Sequence, residues 1–427
     1  MRKIVFVLAC VLMMSSTLFA QSNLVSYRKL VSLDRESLDA LWKSNGIPKI
    51  ITKNKNEVDI YELMYKTKFP DGTEIIASGI YYVPTGTDKE LATVQYNHGT
   101  VMKPRLGDDY DYNGESTICK IYAADGYLVA WQDYIGLGKG EGYHPYQHLE
   151  TEGQSGVDLL LACKQINKEL KIKANDQLFI TGYSQGGHAT LAVHKMIQEK
   201  YSDKLTVTAS SPMSGAHDMS GVQNIIMDKE YSQPHYLPYL LYGYQRMYSI
   251  FPSIEDFYSA FKAPYRHVLD KIIAKGNEVG DINSMLPKEP FTMITDSFYI
   301  LYKTDPTFKF TQVLKQNNTY DWVPEAPVQF CYCVGDNEVY YKNSLVAIEW
   351  MKEHGAKNII DREISDKLLN HQQCAPYAAM FTKFFFDNAR AGKKKEINPF
   401  KGFLVKTGVN IDESKKKKDI KKAAAEK

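Results

Sequence analysis

The spacing of apolar and polar positions changes character along the chain. After a polar leading segment of about 50 residues, Val58–Phe69 alternates in a β-rich run, Pro70-Asp71-Gly72-Thr73 offers a turn, and Glu74–Val83 leads up to Pro84. That pattern predicts an antiparallel hairpin. Short, nearly continuous apolar runs then alternate with longer helical stretches. The predicted strands are Leu91–Tyr96, Tyr127–Gln132, Gln177–Thr181 and Leu205–Ser211; the predicted helices are Ser116–Ala124, Gly156–Leu170 and His188–Lys200. Strands apolar on both faces and separated by helices imply an α/β fold, a mostly parallel sheet covered on both sides.

This rhythm breaks near Asp218. Residues 218–325 carry mixed helical patterns dense in aromatics, from Tyr231 to Phe261. The alternation then resumes with a strand at Val328–Val334, a helix at Tyr340–Glu353, a strand at Asn358–Glu363 and a helix at Ala375–Arg390. At ~150 residues per domain the length would allow two or three tandem units. Resumption of the same rhythm favours one α/β core, 21–217 and 326–392, interrupted by an inserted, mainly helical cap at 218–325.

The two ends read differently. Arg2 and Lys3 precede an apolar run, Ile4–Met14, and the stretch closes at Thr17-Leu18-Phe19-Ala20. This predicts a signal peptide, 1–20, cut after Ala20, and therefore an exported protein, secreted or periplasmic. Val7-Leu8-Ala9-Cys10 loosely matches a lipoprotein box and leaves anchoring at Cys10 as an alternative. The segment 393–427 holds 12 Lys against 5 acids in a chain whose overall charge is only +2. It reads as a solvated, partly disordered tail, or else as a contact for an anionic surface or membrane. So small a total charge argues against a general nucleic-acid binder. With 44% hydrophobic and 24% charged residues, the composition excludes a disordered chain and a collagen-like fibre.

Without Cys10 five cysteines remain, Cys119, Cys163, Cys331, Cys333 and Cys374, so at least one is free or bonded to another chain. None has zinc-site spacing with a histidine or a second pair, and no metal is expected.

The chemistry gathers around Gly182-Tyr183-Ser184-Gln185-Gly186, with a strand leading in and Gly187, Ala189 and Ala192 leading out into a helix. A serine on so tight a strand-to-helix turn needs small neighbours, and the turn exposes backbone N–H groups that can hold an oxyanion. A serine hydroxyl is a poor nucleophile without a base that a carboxylate orients. Asp336, just after the strand Val328–Val334, suits the acid; His371, expected in the loop before the last helix, suits the base. Their chain order is that of a strand-elbow serine hydrolase. Asp218 is the rival acid. His188 is expected to pack or support from the first helical turn, Asp133 to order a loop, and His354 to close a helix. Oxyanion donors are expected at Gln185 and at Thr100 or Gly99, with His98 ordering that loop. Cys333 lies three residues before Asp336 and Cys374 three after His371, so a disulfide between them would hold acid and base in register; two buried free thiols are the alternative.

Four segments appear in order: Asn97-His98-Gly99-Thr100, Asp133-Tyr134-Ile135-Gly136-Leu137-Gly138, His144-Pro145-Tyr146 and Gly182-Tyr183-Ser184-Gln185-Gly186-Gly187-His188. Together they resemble the secretory lipase, or lipase-A-like, family of the α/β-hydrolase superfamily, over roughly Glu74 to Arg390. The resemblance implies a Ser-Asp-His triad, no cofactor, a helical cap over the acyl site and activity on carboxylic esters. The expectation is an exported serine esterase or lipase acting on a small-molecule or lipid ester, with transient contact at a lipid interface. A prolyl-oligopeptidase-like peptidase and a non-catalytic binding protein of the same fold are the alternatives.

Overall fold

The computed structural model describes residues 23–103, 109–111, 114–273, 279–365, 368–393 and 399–425. The expected signal peptide, its cleavage point and Cys10 lie outside the described residues. Nine strands form one sheet: β1 (Leu24–Leu33), β2 (Glu57–Lys68), β3 (Glu74–Thr85), β4 (Leu91–Asn97), β5 (Tyr127–Gln132), β6 (Ala174–Tyr183), β7 (Val207–Met213), β8 (Val328–Cys333) and β9 (Ile359–Ser365). Their order is β1-β2-β3-β5-β4-β6-β7-β8-β9. The predicted hairpin is β2 with β3, in unbroken register from Glu57↔Thr85 to Lys68↔Glu74. From β5 onward the neighbours are parallel.

Helices Arg35–Ser44, Ser116–Ala124 and His371–Arg390 cover one face of the sheet, burying Trp42, Ile121 and Phe381 with β-strand residues such as Val94 and Tyr96. Helices Leu149–Glu169 and Gln185–Lys200 cover the other, where Val157, Leu160, Val193 and Ile197 meet Leu128 and Ile180. Between β7 and β8 the cap forms a separate aromatic cluster containing Tyr239, Tyr244, Phe257, Phe298 and Phe310, to which the core lends Tyr146 and Val339. This is the α/β-hydrolase fold.

Four sequence expectations need correction. The polar leading segment contains β1, an edge strand paired only with β2, and a helix. None of the side chains of β1 is buried and exposed ones lie on both faces, so it lacks the period-two signal of a strand with one buried face. Helix Leu149–Glu169 begins seven residues before the expected Gly156. Its glycines are not a boundary but a packing device: a Cβ on Gly153 would sit 2.9 Å from the Ala192 carbonyl oxygen, and one on Gly156 2.5 Å from a Val193 methyl, so the helix lies tight against its neighbour. Helix His371–Arg390 begins four residues before Ala375, with Pro376 inside it. Finally, the described part of the lysine-rich segment is ordered where a partly disordered tail was expected: Pro399–Ala425 is a helix whose Val405 and Val409 are buried against the core.

Candidate active site

Ser184 stands alone between β6 and helix Gln185–Lys200, with φ 61° and ψ −119°. A side-chain-bearing residue in that region costs on the order of 1–3 kcal/mol and survives only where its surroundings enforce it. Here the Ser184 N–H donates to the Met213 carbonyl at 3.0 Å, and the Ser184 carbonyl accepts from Gly187 N–H at 2.9 Å. A Cβ on Gly182 or Gly186 would collide with the Asn97 carbonyl oxygen, and one on Gly187 would lie 2.7 Å from Gly215 Cα. The turn can therefore be built only with glycine at those positions.

Asp336 follows β8 by three residues. Its Oδ1 accepts the backbone N–H groups of Glu338 and Val339, both at 2.9 Å, and its Oδ2 lies 2.7 Å from His371 Nδ1. That contact puts the imidazole proton on Nδ1 and leaves Nε2 as the basic nitrogen. His371 is not in a loop: it is the first residue of its helix, capped by Asn370 and Gln373 in a reciprocal capping box. Its backbone N–H reaches Asn337 Oδ1 at 3.2 Å and its carbonyl accepts from Tyr183 Oη at 2.6 Å. His371 is thus tied to the loop that carries Asp336 and to the strand that leads into Ser184. Cys333 and Cys374 form a disulfide, joining the end of β8 to the first turn of that helix, while Cys119, Cys163 and Cys331 are buried free thiols. Burial works against a charge on His371, but the Asp336 carboxylate and its hydrogen bond, with Glu338 and Glu115 behind them, outweigh it and raise the pKa above the ordinary value of 6.5.

Asp336 and His371 are therefore in direct contact. Among the described residues, His371 Nε2 makes no hydrogen bond to Ser184; the carboxylate nearest to it is Glu338, with Oε2 at 4.0 Å. Catalytic contacts of this type often tighten only around substrate. Ser184, Asp336 and His371 are 5%, 6% and 1% exposed, so the cap and its neighbours close over all three.

The loop after β4 runs alongside the elbow, with Gly99 close enough that an added Cβ would be 3.6 Å from Ser184 Cβ. The Gly99 N–H, however, donates to Glu115 Oε1 at 3.0 Å and is not open to a ligand. The Gly99 N–H is thus engaged by Glu115, and at the neighbouring Thr100 the side-chain oxygen pairs with Tyr146 Oη at 2.8 Å. Gln185 begins the elbow helix, and its side chain is locked: Nε2 meets Glu152 Oε1 and His144 Nε2, both at 2.9 Å.

The competitors have other tasks. Asp218 accepts the N–H groups of Gly221 and Val222, both at 2.9 Å, and so caps a short helix. Asp133 accepts from Ser78 Oγ at 2.7 Å and orders its loop. His98 Nδ1 contacts the Gly99 carbonyl at 2.7 Å, and His354 Nδ1 the Trp350 carbonyl at 2.7 Å at its helix end. His188 is paired with Glu152 at 2.6 Å. Sequence reasoning missed Glu338, Glu115 and Glu152. Glu338 is buried beside His371 and held by Tyr236 Oη at 3.1 Å and Gln233 Nε2 at 3.3 Å, both from the cap. Its only sequence signal was being two residues beyond Asp336; the cap contacts are invisible in one dimension. No group of three or more His, Cys, Asp or Glu among the described residues is arranged to hold a metal ion.

Comparison with known proteins agrees with this fold. Residues 113–405 match the secretory lipase family. Among solved structures, a Legionella pneumophila protein assigned to the hydrolases is 27% identical, with a TM-score of 0.77 over 88% of this chain and 100% of that one. The rice cell wall degrading esterase LipA from Xanthomonas oryzae is 23% identical, with a TM-score of 0.74 over 84% and 95%. Candida antarctica lipase A in its closed state is 16% identical, with a TM-score of 0.66 over 89% and 84%. No curated protein matches the chain. The family match spans more than half of the chain and includes Ser184, Asp336 and His371, so the protein belongs to the secretory lipase family of ester-cleaving α/β-hydrolases.

Proposed function

We propose that the protein is an exported serine hydrolase that cleaves carboxylic esters through an acyl-enzyme. The observation that carries this reading is the 2.7 Å contact between His371 Nδ1 and Asp336 Oδ2 at the same sheet edge as a serine held at positive φ. Ser184 Oγ attacks the ester carbonyl while His371 Nε2 takes its proton. The oxyanion that forms is held by the N–H groups of Gln185 and Thr100, at the start of a helix whose dipole favours negative charge. Collapse breaks the bond to the alcohol, which leaves with the proton that His371 returns. Water, deprotonated by the same imidazole, then releases the acid and restores Ser184. Asp336 keeps the tautomer throughout and balances the imidazolium. The burial of all three side chains means that an ester reaches them when the cap is displaced, and Tyr146, Tyr236 and Tyr239 then become walls of an apolar site. Export is supported by the basic-then-apolar N-terminus.

The test is hydrolysis of an aryl-ester series from acetyl to palmitoyl by the mature protein beside Ser184→Ala. Loss of all ester cleavage in Ser184→Ala is expected. Undiminished cleavage would overturn the mechanism, and an optimum at short or long chains would sort esterase from lipase.

A further inference from the structure

The C-terminal helix presents two faces of opposite character. Towards the core, Val405, Val409 and Glu413 form a buried stripe at four-residue intervals. Tyr377 Oη donates to Asp412 at 2.6 Å, and Lys416 Nζ to Gln373 Oε1 at 2.9 Å. On the outward side Phe403, Leu404 and Ile411 are 65%, 37% and 51% exposed. Residues three or four apart share a helix face, so Phe403, Thr407, Ile411, Lys415, Lys418 and Lys422 continue one outward strip. From Lys415 to Lys422 there are six lysines and one acid, Asp419, and all of these lysines except Lys416 are exposed. A single exposed apolar residue needs no explanation. A run of exposed lysines at one end of a helix, with exposed apolar side chains behind it on the same strip, is a polybasic segment of the kind that anionic headgroups attract.

The direction of the helix adds a second argument. It runs antiparallel to helix His371–Arg390: Lys401 Nζ lies 4.5 Å from the centre of the Phe384 ring, Gly408 faces Tyr377, and Lys416 reaches Gln373. Gln373 is two residues beyond His371. The lysine-rich end therefore stands at the sheet edge that holds Ser184, and residues past Lys416 run on beyond the start of the neighbouring helix. Charge selects the occupant. The chain before residue 393 is net negative and the segment after it strongly positive, so an anionic surface attracts this end alone.

We propose that the C-terminal helix docks the protein on an anionic phospholipid bilayer, its lysine end bringing the catalytic edge of the sheet to the lipid. This goes beyond ester hydrolysis and does not depend on it.

The experiment is co-sedimentation of the purified protein with vesicles of phosphatidylglycerol and phosphatidylcholine in equal parts, and of phosphatidylcholine alone, at low and high salt. The variants are a Lys418→Glu, Lys421→Glu, Lys422→Glu triple and a Phe403→Ser, Ile411→Ser double, with circular dichroism and thermal melting as controls for folding. Binding to the anionic vesicles alone is expected, weakened by salt. The triple variant should lose at least about fivefold in partitioning per lysine replaced, and the double variant a smaller amount. Equal partitioning of the wild type onto both vesicles, or no change in the triple variant, would overturn the proposal. Unchanged partitioning of the double variant would overturn insertion of the apolar strip. A protein that bound dextran sulfate but neither vesicle would assign the helix to a soluble polyanion and overturn the lipid. None of these readouts uses hydrolysis, so their failure is separate from failure of the esterase reading.

Discussion

Two buried histidine–carboxylate pairs sit on either side of the serine elbow, and by their first contact they are nearly the same. His371 Nδ1 is 2.7 Å from Asp336, and His188 Nδ1 is 2.6 Å from Glu152. The difference lies on the other nitrogen. His188 Nε2 faces the Asn317 backbone carbonyl at 2.9 Å. A carbonyl can only accept, so Nε2 keeps its proton, and the ring has no lone pair to offer a substrate. Burial, and after it the charge of His188, pushes the buried His148 and His217 down to about 3, keeping them neutral. Among the described residues no carbonyl is hydrogen-bonded to His371 Nε2, and Glu338 Oε2 lies 4.0 Å from it. A short imidazole–carboxylate contact is thus not by itself the signature of an active site; its place beside the strained serine and the partner of the second nitrogen separate a proposed base from a fixed tie. The His188 pair still acts at a distance, because Glu152 also grips Gln185, a proposed oxyanion donor.

Substitutions can break this comparison from either side. Asp336→Asn should lower kcat for ester hydrolysis by about 10³–10⁴-fold, by favouring the wrong tautomer of His371, while the protein stays folded. Glu152→Gln should do the reverse. It strips the buried His188 of its anion and should cost about 3–5 kcal/mol of stability in urea unfolding, with a much smaller loss of rate per folded molecule. A Glu152→Gln protein that kept wild-type stability would refute the structural role of that pair. Replacing both Cys333 and Cys374 by Ala should cost about 4 kcal/mol at most on loop-closure arguments for a 41-residue separation. Its activity at low temperature should survive, since the capping box and Asn337 still hold His371.

The smallest expected effect is on pH dependence. Ester cleavage needs neutral His371, and its pKa is raised, so activity should fall with decreasing pH on a limb above the usual imidazole range. Glu338→Gln removes one of the charges that raise it and should move that limb to lower pH. A limb that stayed in place would show that Glu338 does not act on His371 Nε2. For stability the sign is opposite to that for rate. A folded-state pKa above the unfolded one contributes stability below about pH 6.5, and this is lost as pH rises through the folded value.

The core was legible because its determinants are local. A strand buried on both faces must be apolar throughout, as in Tyr127–Gln132, and only glycines fit around Ser184. The chain order of Ser184, Asp336 and His371 was readable for the same reason. Errors came where packing between distant segments overrides the local rule. Gly156 read as the first residue of its helix because the neighbours that require small residues at 153 and 156, Ala192 and Val193, lie 39 and 37 residues further along the chain. Val405 and Val409 were hidden among lysines, and only the core residues they meet mark them as buried.

From the residues themselves come the α/β class, the elbow, and the chain order of the proposed nucleophile, acid and base, since each depends on backbone conformation or on side-chain chemistry within a few neighbours. Tertiary structure alone decided which carboxylate meets which imidazole, that the Gly99 N–H is taken by Glu115, and that Glu338 stands beside His371. Those choices rest on distances of about 3–4 Å between residues far apart in the chain, and nothing in a one-dimensional pattern sets them.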